Sequence, residues 1–570
     1  MGATVAVMLK LLQPAWSVRL VEQLDRVGAE SSNEWHNAGT GHAALCEANY
    51  TPTDPRTGEV DITKARIVNQ KFMVSLSWWS WLVEKGLLPD GSFIQAAPHI
   101  LFAHGEDGVS WLKQRVEKLR KLPSFAPTEL STDYDQIRSW AELLCSGRPR
   151  DGSEPIACSR HPDGTEVNYG LLTRMLAQSF TELGGTVQLL SRVTALQQQE
   201  DKRWLVAIQK DDLTQTNTVV RARFVFAGAG GGSLKVLQRA GIPEIEGYAG
   251  MPVSGKFLVC QKADIIKQNR NKVYGRAAFG APPMSVPHLD WRTIYGQDCI
   301  FFGPFAGFSP TIFKVGGSYL DWISTINPSN IFGIVGMATR NMPLVKYLLT
   351  EVFSTKAQQL AALREFVPDA KPEDWTMVWA GQRIQIVKPD PKTGKATLQF
   401  GTELVSSKDG TIVGLLGASP GASVSPQIAI DVLKRFKTND PTRWDQALSR
   451  MIPQYGRDIN EEPGLYEKVI NRARSVLLQG EVSGHRTCRT NANQLFDRLD
   501  TSRRGKLTVK ELKAALTLST AQIHELMNQL DADKKGEISR DNFDAGFSTF
   551  VTSQVRQLRR ALTVDPGKKY

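Results

Sequence analysis

Cysteine is scarce in this sequence of 570 residues, which holds six cysteines and no C-x-x-C spacing. That scarcity argues against a zinc site and against a secreted disulfide framework. No uninterrupted apolar run reaches the roughly 18 residues that a membrane span needs, so any membrane contact is expected to be peripheral. The N-terminus has neither the regions of a signal peptide nor an Arg- and Ser-rich transit segment, so no targeting segment is visible.

The composition is that of a globular protein, with 41% hydrophobic and 22% charged residues. A chain of this length exceeds one ordinary core, so about two or three domains are expected, enough to enclose a cofactor. The formal charge of +11 is compatible with nucleic acid, anionic lipid or an acidic substrate as a partner. Because no nucleic-acid motif occurs and the positive charges are dispersed, we favour lipid and a dicarboxylate and expect no nucleic acid.

The N-terminal residues carry half of a dinucleotide-binding pattern. An apolar helical run at 3–12 begins directly after Gly2, and a predicted strand at 17–22 ends in Glu22. In βαβ units a glycine bares the helix N–H groups to a pyrophosphate, and an acid about 20 residues later accepts hydrogen bonds from ribose hydroxyls. The first strand and the first two glycines of a G-x-G-x-x-G turn are absent, so we expect a truncated chain that retains flavin poorly.

A polar loop with two glycines follows this strand and reads S-S-N-E-W-H-N-A-G-T-G-H-A-A-L-C-E-A-N-Y-T-P at residues 31–52. Further motifs occur in order: G-T-E-V-N-Y-G (164–170), F-V-F-A-G-A-G-G (224–231), G-A-P-P-M-S-V-P-H-L-D (280–290), F-G-P-F-A (302–306), A-G-Q-R-I-Q-I (380–386) and L-G-A-S-P-G-A-S (416–423). This set closely resembles malate:quinone oxidoreductase, nearly colinearly from Met1 to about Arg457. The resemblance implies an FAD enzyme that oxidises (S)-malate to oxaloacetate and passes electrons to membrane quinone instead of NAD.

The resemblance and the alternating strand and helix signals predict an α/β fold, in which a Rossmann-like FAD-binding domain is interleaved with an α+β substrate domain. The FAD-binding domain is expected to comprise residues 1–50, 165–250 and 375–440. The substrate domain is expected at 51–164 and 251–374, followed by a helical linker at 441–485. The dense tryptophans Trp78, Trp79 and Trp81 are predicted to build core.

Strands that end in glycine or other small residues mark the expected cofactor contacts. Residues 224–232 form an apolar strand that runs into glycines, which let the backbone approach a ligand closely. Residues 411–423 end in small residues and open a helix, whose N–H groups and dipole would stabilise negative charge on the flavin. A packing turn is the alternative at both places. The residues expected to contact FAD are Gly2, Glu22, Ser31, Ser32, Asn37, Gly39, Thr40, Gly41, His42, Val193, Gly228, Ala229, Gly230, Gly417, Pro420, Gly421 and Ala422.

Oxidation of malate requires cations for two carboxylates and a base near the C2 hydroxyl. Arg383 is the predicted carboxylate clamp, because a guanidinium fork matches a carboxylate bidentately. His288 is the predicted base, since an imidazole titrates near neutral pH and Asp290 or a backbone group could fix its tautomer. A structural histidine is the competing interpretation of His288. The remaining residues predicted to bind substrate are Ser285, Gln382 and Lys256.

A different pattern begins after about residue 485, where the flavoenzyme resemblance ends. The run D-T-S-R-R-G-K-L-T-V-K-E at 500–511 resembles an EF-hand loop, with Gly505 at the turn. Its predicted ligands are Asp500, Ser502, the Lys506 carbonyl, Thr508 and Glu511. Arg504 stands at position 5, where it cannot donate a lone pair, so only weak calcium binding is expected.

A second such loop, D-A-D-K-K-G-E-I-S-R-D-N, spans 531–542. Its candidate ligands are Asp531, Asp533, Glu537 and Ser539, but Lys535 stands at position 5 and Asn542 where a bidentate Glu is expected. We therefore predict an all-α EF-hand pair at 486–550 whose second loop does not bind calcium. Residues 486–570 hold 16 Lys plus Arg against 10 Asp plus Glu, and the basic tail at 551–570 suits either anionic lipid or a solvated helix.

Two classes of function remain open from the residues alone. The first is a malate dehydrogenase that acts on quinone at a membrane surface, with a 2-hydroxyacid oxidase using oxygen as its close rival. The second is a flavin-free calcium-sensing or scaffold protein on a degraded oxidoreductase fold. Bound flavin that malate bleaches would separate the two classes. The fusion to EF-hands suggests a mitochondrial setting, as an expectation.

Overall fold

The structure is a computed structural model. It describes residues 1–211, 215–276, 287–399, 401–417, 421–436, 441–478, 504–515 and 536–539, together with Phe496, Met527 and Phe543. The chain divides into two compact units, Met1–Arg292 with Asp298–Gln479, and Thr293–Gln297 with Gly480–Tyr570.

Helices and strands alternate through most of the first unit. In chain order the helices are α1 (Gly2–Leu12), α2 (Thr63–Glu84), α3 (Glu106–Leu119), α4 (Tyr134–Trp140), α5 (Glu142–Cys145), α6 (Tyr169–Glu182), α7 (Ser233–Ala240), α8 (Ala263–Ile266), α9 (Leu320–Ile323), α10 (Ile331–Arg340), α11 (Met342–Val352), α12 (Lys356–Arg364), α13 (Ser425–Arg435), α14 (Pro441–Met451), α15 (Leu465–Val476) and α16 (Val509–Ala515). The strands are β1 (Arg19–Val21), β2 (Ile94–Ala96), β3 (His99–His104), β4 (Glu129–Ser131), β5 (Ile156–His161), β6 (Thr165–Val167), β7 (Thr186–Gln188), β8 (Ser191–Gln198), β9 (Trp204–Lys210), β10 (Asn217–Ala222), β11 (Val225–Ala227), β12 (Ala249–Cys260), β13 (Lys272–Tyr274), β14 (His288–Ile294), β15 (Gln297–Phe308), β16 (Thr376–Trp379), β17 (Arg383–Pro389), β18 (Ala396–Gln399), β19 (Thr402–Ser406), β20 (Ile412–Gly417), β21 (Lys506–Thr508) and β22 (Glu537–Ser539).

One half of the first unit contains parallel strand pairs, which are typical of the nucleotide-binding folds that the sequence predicts. β1 pairs in parallel with β7, and β11 pairs in parallel with β20, whose other edge carries β19. The apolar helix α1 packs into the same core as α6 and α13. It ends at Leu12 because Pro14 cannot continue a helix, and Lys10 donates hydrogen bonds to the carbonyls of Pro14 and Trp16 at 2.6 and 3.1 Å.

A sheet of ten strands forms the other half, in the order β18-β17-β12-β15-β14-β13-β3-β5-β4, with β16 also paired to β12. One face is covered by α4, α5 and α12, whose apolar residues pack on Phe102 and Phe302. The strands β16, β17 and β18 hydrogen-bond into this sheet. Their backbone pairing therefore joins residues 376–399 to the segments predicted for the substrate domain, although these residues were expected in the FAD-binding domain.

The helix α2 runs through the centre of the first unit. Its residues Trp78 and Trp79 are fully buried, as predicted for core tryptophans, while Trp81 is half-buried. Helices α14 and α15 pack on the same core, so the segment predicted as a linker is part of this unit. Among the residues that the structure describes, no helix combines the length and the apolar character needed to cross a membrane.

The second unit contains a short ladder between its two predicted metal-binding loops. β21 pairs antiparallel with β22, with Leu507 opposite the buried Ile538. The helix α16 follows β21 directly. The module predicted as all-α thus also contains these two strands, because the backbone of each loop finds its hydrogen-bond partners in the other.

A buried ionic cluster connects the polar loop at 31–52, which we call the glycine loop, to the sheet of ten strands, which we call the large sheet. The carboxylate of Glu166 accepts from Lys272 Nζ at 2.5 Å and from Arg292 Nε at 3.0 Å, and all three side chains are buried. Lys272 Nζ also donates to the Ala38 carbonyl at 2.7 Å, and Arg292 Nη1 donates to the carbonyls of Glu34 and Asn37. The same charges that neutralise one another therefore hold residues 34–38 in place.

Glu166→Gln should lower the free energy of unfolding of the first unit by about 3–5 kcal/mol, because it leaves two buried cations without their anion. The measurement is a urea titration followed by tryptophan fluorescence. Glu129→Gln is the matched control, because Glu129 forms an ion pair with Arg160 at 2.6 Å on the surface. That change should cost less than about 1 kcal/mol, and equal shifts for the two variants would contradict the assigned role of the cluster.

Candidate active site

The predicted base lies on the face of the large sheet that meets the glycine loop. Tyr274 of β13 stands opposite His288 of β14, and Lys272 stands opposite Asp290. The rings of Tyr274 and His288 stack at 4.2 Å between centroids. The Tyr274 hydroxyl lies 3.0 Å from the Thr40 hydroxyl. Since Thr40 belongs to the glycine loop, this contact links the loop directly to the histidine.

Asp290 fixes the ring of His288. The carboxylate oxygen Oδ2 of Asp290 is hydrogen-bonded to His288 Nδ1, and Lys272 Nζ lies 3.9 Å from Asp290 Oδ1. Burial alone would raise the pKa of Asp290, but His288, Lys272 and Arg292 together lower it below its usual value. An ionised carboxylate can only accept, so Nδ1 carries a proton, and Nε2 is the atom that presents a lone pair when the ring is neutral.

His42 lies beside the same rings and is kept neutral by burial. Its ring meets Tyr274 edge-on at 6.3 Å. Burial lowers the pKa of His42 to about 3, and the charges of His288 and Arg383 add to this effect. His42 is therefore a neutral imidazole and a weak base near neutral pH.

Arg383 supplies the cation of the site. It begins β17 and is half-buried. Burial lowers the pKa of Arg383, while Tyr274 and Glu47 oppose this effect. Within the described ranges no group accepts a hydrogen bond from its guanidinium. Both Arg383 and His288 lower the pKa of His42, so the predicted clamp and the predicted base lie near the same ring.

Two residues near this site, Glu47 and Tyr274, are not among those predicted from the sequence. Glu47 Oε1 accepts from the Asn49 N–H at 3.1 Å and from Asn49 Nδ2 at 2.8 Å. Burial raises the pKa of Glu47, and His288 partly offsets the increase. Glu47 could have been suspected from its place within the loop at 31–52. Tyr274 carries no local signal, since only strand pairing places it on His288.

The other predicted substrate residues are placed differently. Gln382 Nε2 donates to Thr311 Oγ1 at 2.9 Å and to Ser309 Oγ at 3.2 Å, while its Oε1 is buried and accepts from no described group. Lys256 Nζ donates to the carbonyls of Val352 and Ser354 at 3.2 and 3.5 Å, at the end of α11. There its charge stabilises the helix C-terminus. Ser285 lies outside the described residues.

Contacts within the protein already require glycine at two positions of the glycine loop. At Gly39, where φ is +65°, a Cβ atom would lie 2.3 Å from Glu166 Oε2, and at Gly41 it would lie 2.0 Å from Thr165 Oγ1. Asn37 shapes the turn, since its Nδ2 donates to the carbonyls of Ser31 and Asn33 at 3.1 and 2.8 Å. Ser31 is exposed and Ser32 half-exposed, so both can be reached from solvent.

Two helix N-termini converge where a dinucleotide is predicted to bind. Thr4 Oγ1 donates to Ser425 Oγ at 3.3 Å, which places the start of α1 beside the start of α13. No side chain in the described part of the chain caps either helix, so their first N–H groups are available to an anionic ligand. A Cβ atom on Gly2 would meet only Leu20 at 3.9 Å.

The remaining predicted cofactor residues lie within or beside strands of the first unit, or just before α13. Glu22 follows β1 and accepts from the Leu24 N–H at 3.0 Å, and burial raises its pKa. Gly417 ends β20 with φ of +92°, where a Cβ atom would lie 2.1 Å from the Gly401 carbonyl. The Val193 carbonyl accepts from Arg239. Gly228, Ala229 and Gly230 follow β11, Gly421 and Ala422 precede α13, and Pro420 lies outside the described residues.

The first EF-hand loop carries a cation of its own beside its last ligand. Arg504 Nη2 lies 3.5 Å from Glu511 Oε2, and Thr508 donates to the same oxygen from N and Oγ1 at 3.0 and 2.8 Å. Lys506 forms an ion pair with Glu537 at 3.1 Å, and Ser539 ends β22. The predicted ligands Asp500, Ser502, Asp531 and Asp533 lie outside the described residues. Within the part described, no group of three or more acidic, His or Cys side chains is placed to hold a metal.

Comparison with known proteins assigns both parts of the chain. The family model described as malate:quinone oxidoreductase (Mqo) matches residues 1–478, and that of an EF-hand domain pair matches residues 489–548. A probable malate:quinone oxidoreductase of Micrococcus luteus is 46% identical over 470 residues, which are 82% of this chain and 94% of that protein. One of Exiguobacterium sp. is 45% identical over 479 residues, which are 84% of this chain and 95% of that protein.

Solved structures with a similar shape have lower identity. They include FAD-bound L-alpha-glycerophosphate oxidase from Mycoplasma pneumoniae, with a TM-score of 0.48 and 13% identity over 76% of this chain and 93% of that chain. Glycine oxidase from Geobacillus kaustophilus gives a TM-score of 0.49 and 13% identity over 77% of this chain and 94% of that chain.

Arg504→Asn should strengthen calcium binding by at least about tenfold, because it supplies an oxygen at position 5 and removes the cation beside Glu511. The measurement is calorimetric titration of the full chain with calcium. Lys510→Asn is the control, since it removes an equal charge from an exposed position that is no ligand. If both variants gained equally, only net charge would matter and the internal pairing of Arg504 would play no part.

Proposed function

The chain belongs to the malate:quinone oxidoreductase family over residues 1–478, and on that basis we propose which of its residues carry the reaction. It is an FAD-dependent oxidoreductase that converts malate to oxaloacetate with a quinone as electron acceptor. The C-terminal residues 489–548 form an EF-hand pair. The proposal concerns the site between the large sheet and the glycine loop.

FAD is held by residues from three places that the fold brings together. The N–H groups at the start of α1 would bind its diphosphate, and Glu22 would accept hydrogen bonds from its ribose. The start of α13, which follows Gly421 and Ala422, would lie against the ring system and stabilise negative charge there. When bound, FAD would supply the two-electron redox chemistry that links malate to the quinone.

Arg383 binds a malate carboxylate in this proposal. Its guanidinium is half-buried, charged and without a described hydrogen-bond acceptor, so a bidentate carboxylate would satisfy donors that the protein leaves open. Gln382 adds a buried amide oxygen next in the chain. Holding the substrate by its carboxylate supplies the orientation that hydride transfer requires.

His288 takes the proton of the C2 hydroxyl at its Nε2 atom. Asp290 holds Nδ1 and stabilises the imidazolium that forms, as a carboxylate does when it is hydrogen-bonded to a catalytic imidazole. The hydroxyl loses a proton and C2 loses a hydride, so the C2–O bond becomes the carbonyl of oxaloacetate. The observation that carries this proposal is the pairing of His288 with Asp290 in the same site as Arg383.

We also propose that the enzyme works in peripheral contact with a membrane, because its acceptor is a membrane quinone. The basic tail at 551–570 and the formal charge of +11 support contact with anionic lipid. A mitochondrial location and a protein partner of the EF-hand pair remain hypotheses that rest on the fusion of the two modules.

Arg383→Ala should raise the malate concentration needed for half-maximal turnover by an order of magnitude or more, because it removes a charge-assisted pair. For Arg383→Lys this malate concentration should lie between those of the wild type and Arg383→Ala, since an ammonium cannot match a carboxylate bidentately. The measurement is steady-state reduction of a soluble dye acceptor by malate. Arg221→Ala, which removes an exposed arginine, should leave the malate dependence unchanged, and an unchanged value for Arg383→Ala would refute the clamp.

His288→Ala should slow malate-driven bleaching of the flavin by about 10²–10⁴-fold, the usual contribution of a positioned base. The measurement is anaerobic stopped-flow absorbance. Bleaching by dithionite should be unaffected, which shows that the cofactor is still bound and reducible. His104→Ala provides a matched exposed histidine. The proposed base would be refuted by malate-driven bleaching that persists at the wild-type rate in His288→Ala.

A further inference from the structure

Large apolar side chains are exposed in one short part of the chain. Of the seventeen such side chains that are exposed among the described residues, ten lie between Val315 and Phe353. Those ten are Val315, Tyr319, Leu320, Ile323, Phe332, Val335, Met342, Leu349, Val352 and Phe353. They lie on or beside α9, α10 and α11, and we call them the apolar surface. A concentration of this kind marks an interaction site, whereas single exposed apolar residues need no explanation.

The helices that carry the apolar surface have a buried side as well. Met337 of α10 and Leu344 and Leu348 of α11 pack on Val253 of β12 and Val387 of β17. The helices are therefore anchored to the large sheet by one side while the opposite side projects outward. The exposed apolar residues therefore belong to helices that are already packed in the folded protein.

The exposed side chains stand clear of the protein surface. Phe332 is 84% exposed, Phe353 80% and Tyr319 75%. Side chains that protrude this far suit insertion among acyl chains, where apolar residues line the inner face of an interfacial helix. Surfaces that bind a helix or a peptide are grooves, which are concave, whereas these side chains project outward.

The charges around the apolar surface also suit a lipid surface. Between Val315 and Phe353 the acids are Asp321 and the half-buried Glu351, whereas Arg340 and Lys346 are exposed cations. Arg340 donates a hydrogen bond to the Ala396 carbonyl, next to the turn at 390–395. This turn adds two positive charges, Lys392 and Lys395, and one negative charge, Asp390. Weak net positive charge at the edge of an apolar surface favours anionic headgroups.

The apolar surface and the candidate site share one face of the large sheet. Val253 of β12 stands opposite Arg383 of β17, and directly opposed residues of antiparallel strands point to the same face. Val253 packs under α10 and α11, so Arg383 emerges on the side that these helices cover. Lys256 ties the end of α11 to β12, since its Nζ donates to Val352.

We propose that the apolar surface of α9, α10 and α11 lies on a lipid bilayer and that quinone reaches the flavin from this side. This rests on the proposed function, because a lipid-soluble acceptor gives the surface its purpose. The bilayer is the occupant to which the side-chain exposure, the charge and the shared sheet face all point. A second copy of the chain is the other outcome that the experiment distinguishes.

The test is a double variant, Phe332→Ser with Phe353→Ser, in the full-length holoenzyme. Its matched control is Ile67→Ser with Val219→Ser, which removes two exposed apolar side chains elsewhere. Binding is measured by sedimentation with phosphatidylcholine vesicles, with and without phosphatidylglycerol. Burial of each large apolar side chain is worth roughly tenfold or more in partition, so the double variant should bind at least about tenfold more weakly while the control binds like the wild type.

Turnover with two acceptors distinguishes loss of membrane binding from loss of catalysis. The Phe332→Ser, Phe353→Ser variant should reduce a soluble dye with malate at the wild-type rate, and a long-chain quinone embedded in vesicles at a rate that falls with binding. Wild-type vesicle binding by this variant would overturn the proposal, as would a dimer that the variant converts to monomer without loss of vesicle binding. A wild-type enzyme that failed to reduce the dye would instead refute the proposed function, and the binding experiment would still test the surface.

Discussion

The candidate site depends on one buried ionic cluster, in which Glu166 neutralises both Lys272 and Arg292. Burying three charges is costly unless each is paired and its remaining donors are satisfied. The backbone carbonyls of Glu34, Asn37 and Ala38 satisfy those donors. The glycine loop is therefore held by the same interaction that makes the buried charges tolerable.

The positions of these cations along their strands explain why the site is built there. Lys272 lies two residues before Tyr274, and Arg292 lies two residues after Asp290, on neighbouring strands. Residues two apart on a strand share a face. The cluster and the reactive groups consequently point to the same side of the sheet, so a single set of charges fixes both the loop and the orientation of His288 and Asp290.

The arrangement also suits two substrates of opposite solubility. Malate is charged, and the guanidinium of Arg383, its proposed clamp, has no described acceptor on the face of β17. Quinone is apolar, and the helices that cover the same face beyond Arg383 project apolar side chains outward. Under the two proposals, one sheet face serves both the polar donor and the apolar acceptor.

The sequence by itself determined the family, the EF-hand pair and most local elements. Ordered motifs such as A-G-Q-R-I-Q-I do not recur by chance, and α1, β11 and β20 follow from apolar runs that end at Pro14 or at glycines. Tertiary structure alone decided that Tyr274 stacks on His288, that residues 376–399 join the large sheet, and that Lys256 serves α11. The physical reason is that periodicity reports the faces of single elements, whereas these contacts join residues far apart in the chain and leave no local pattern.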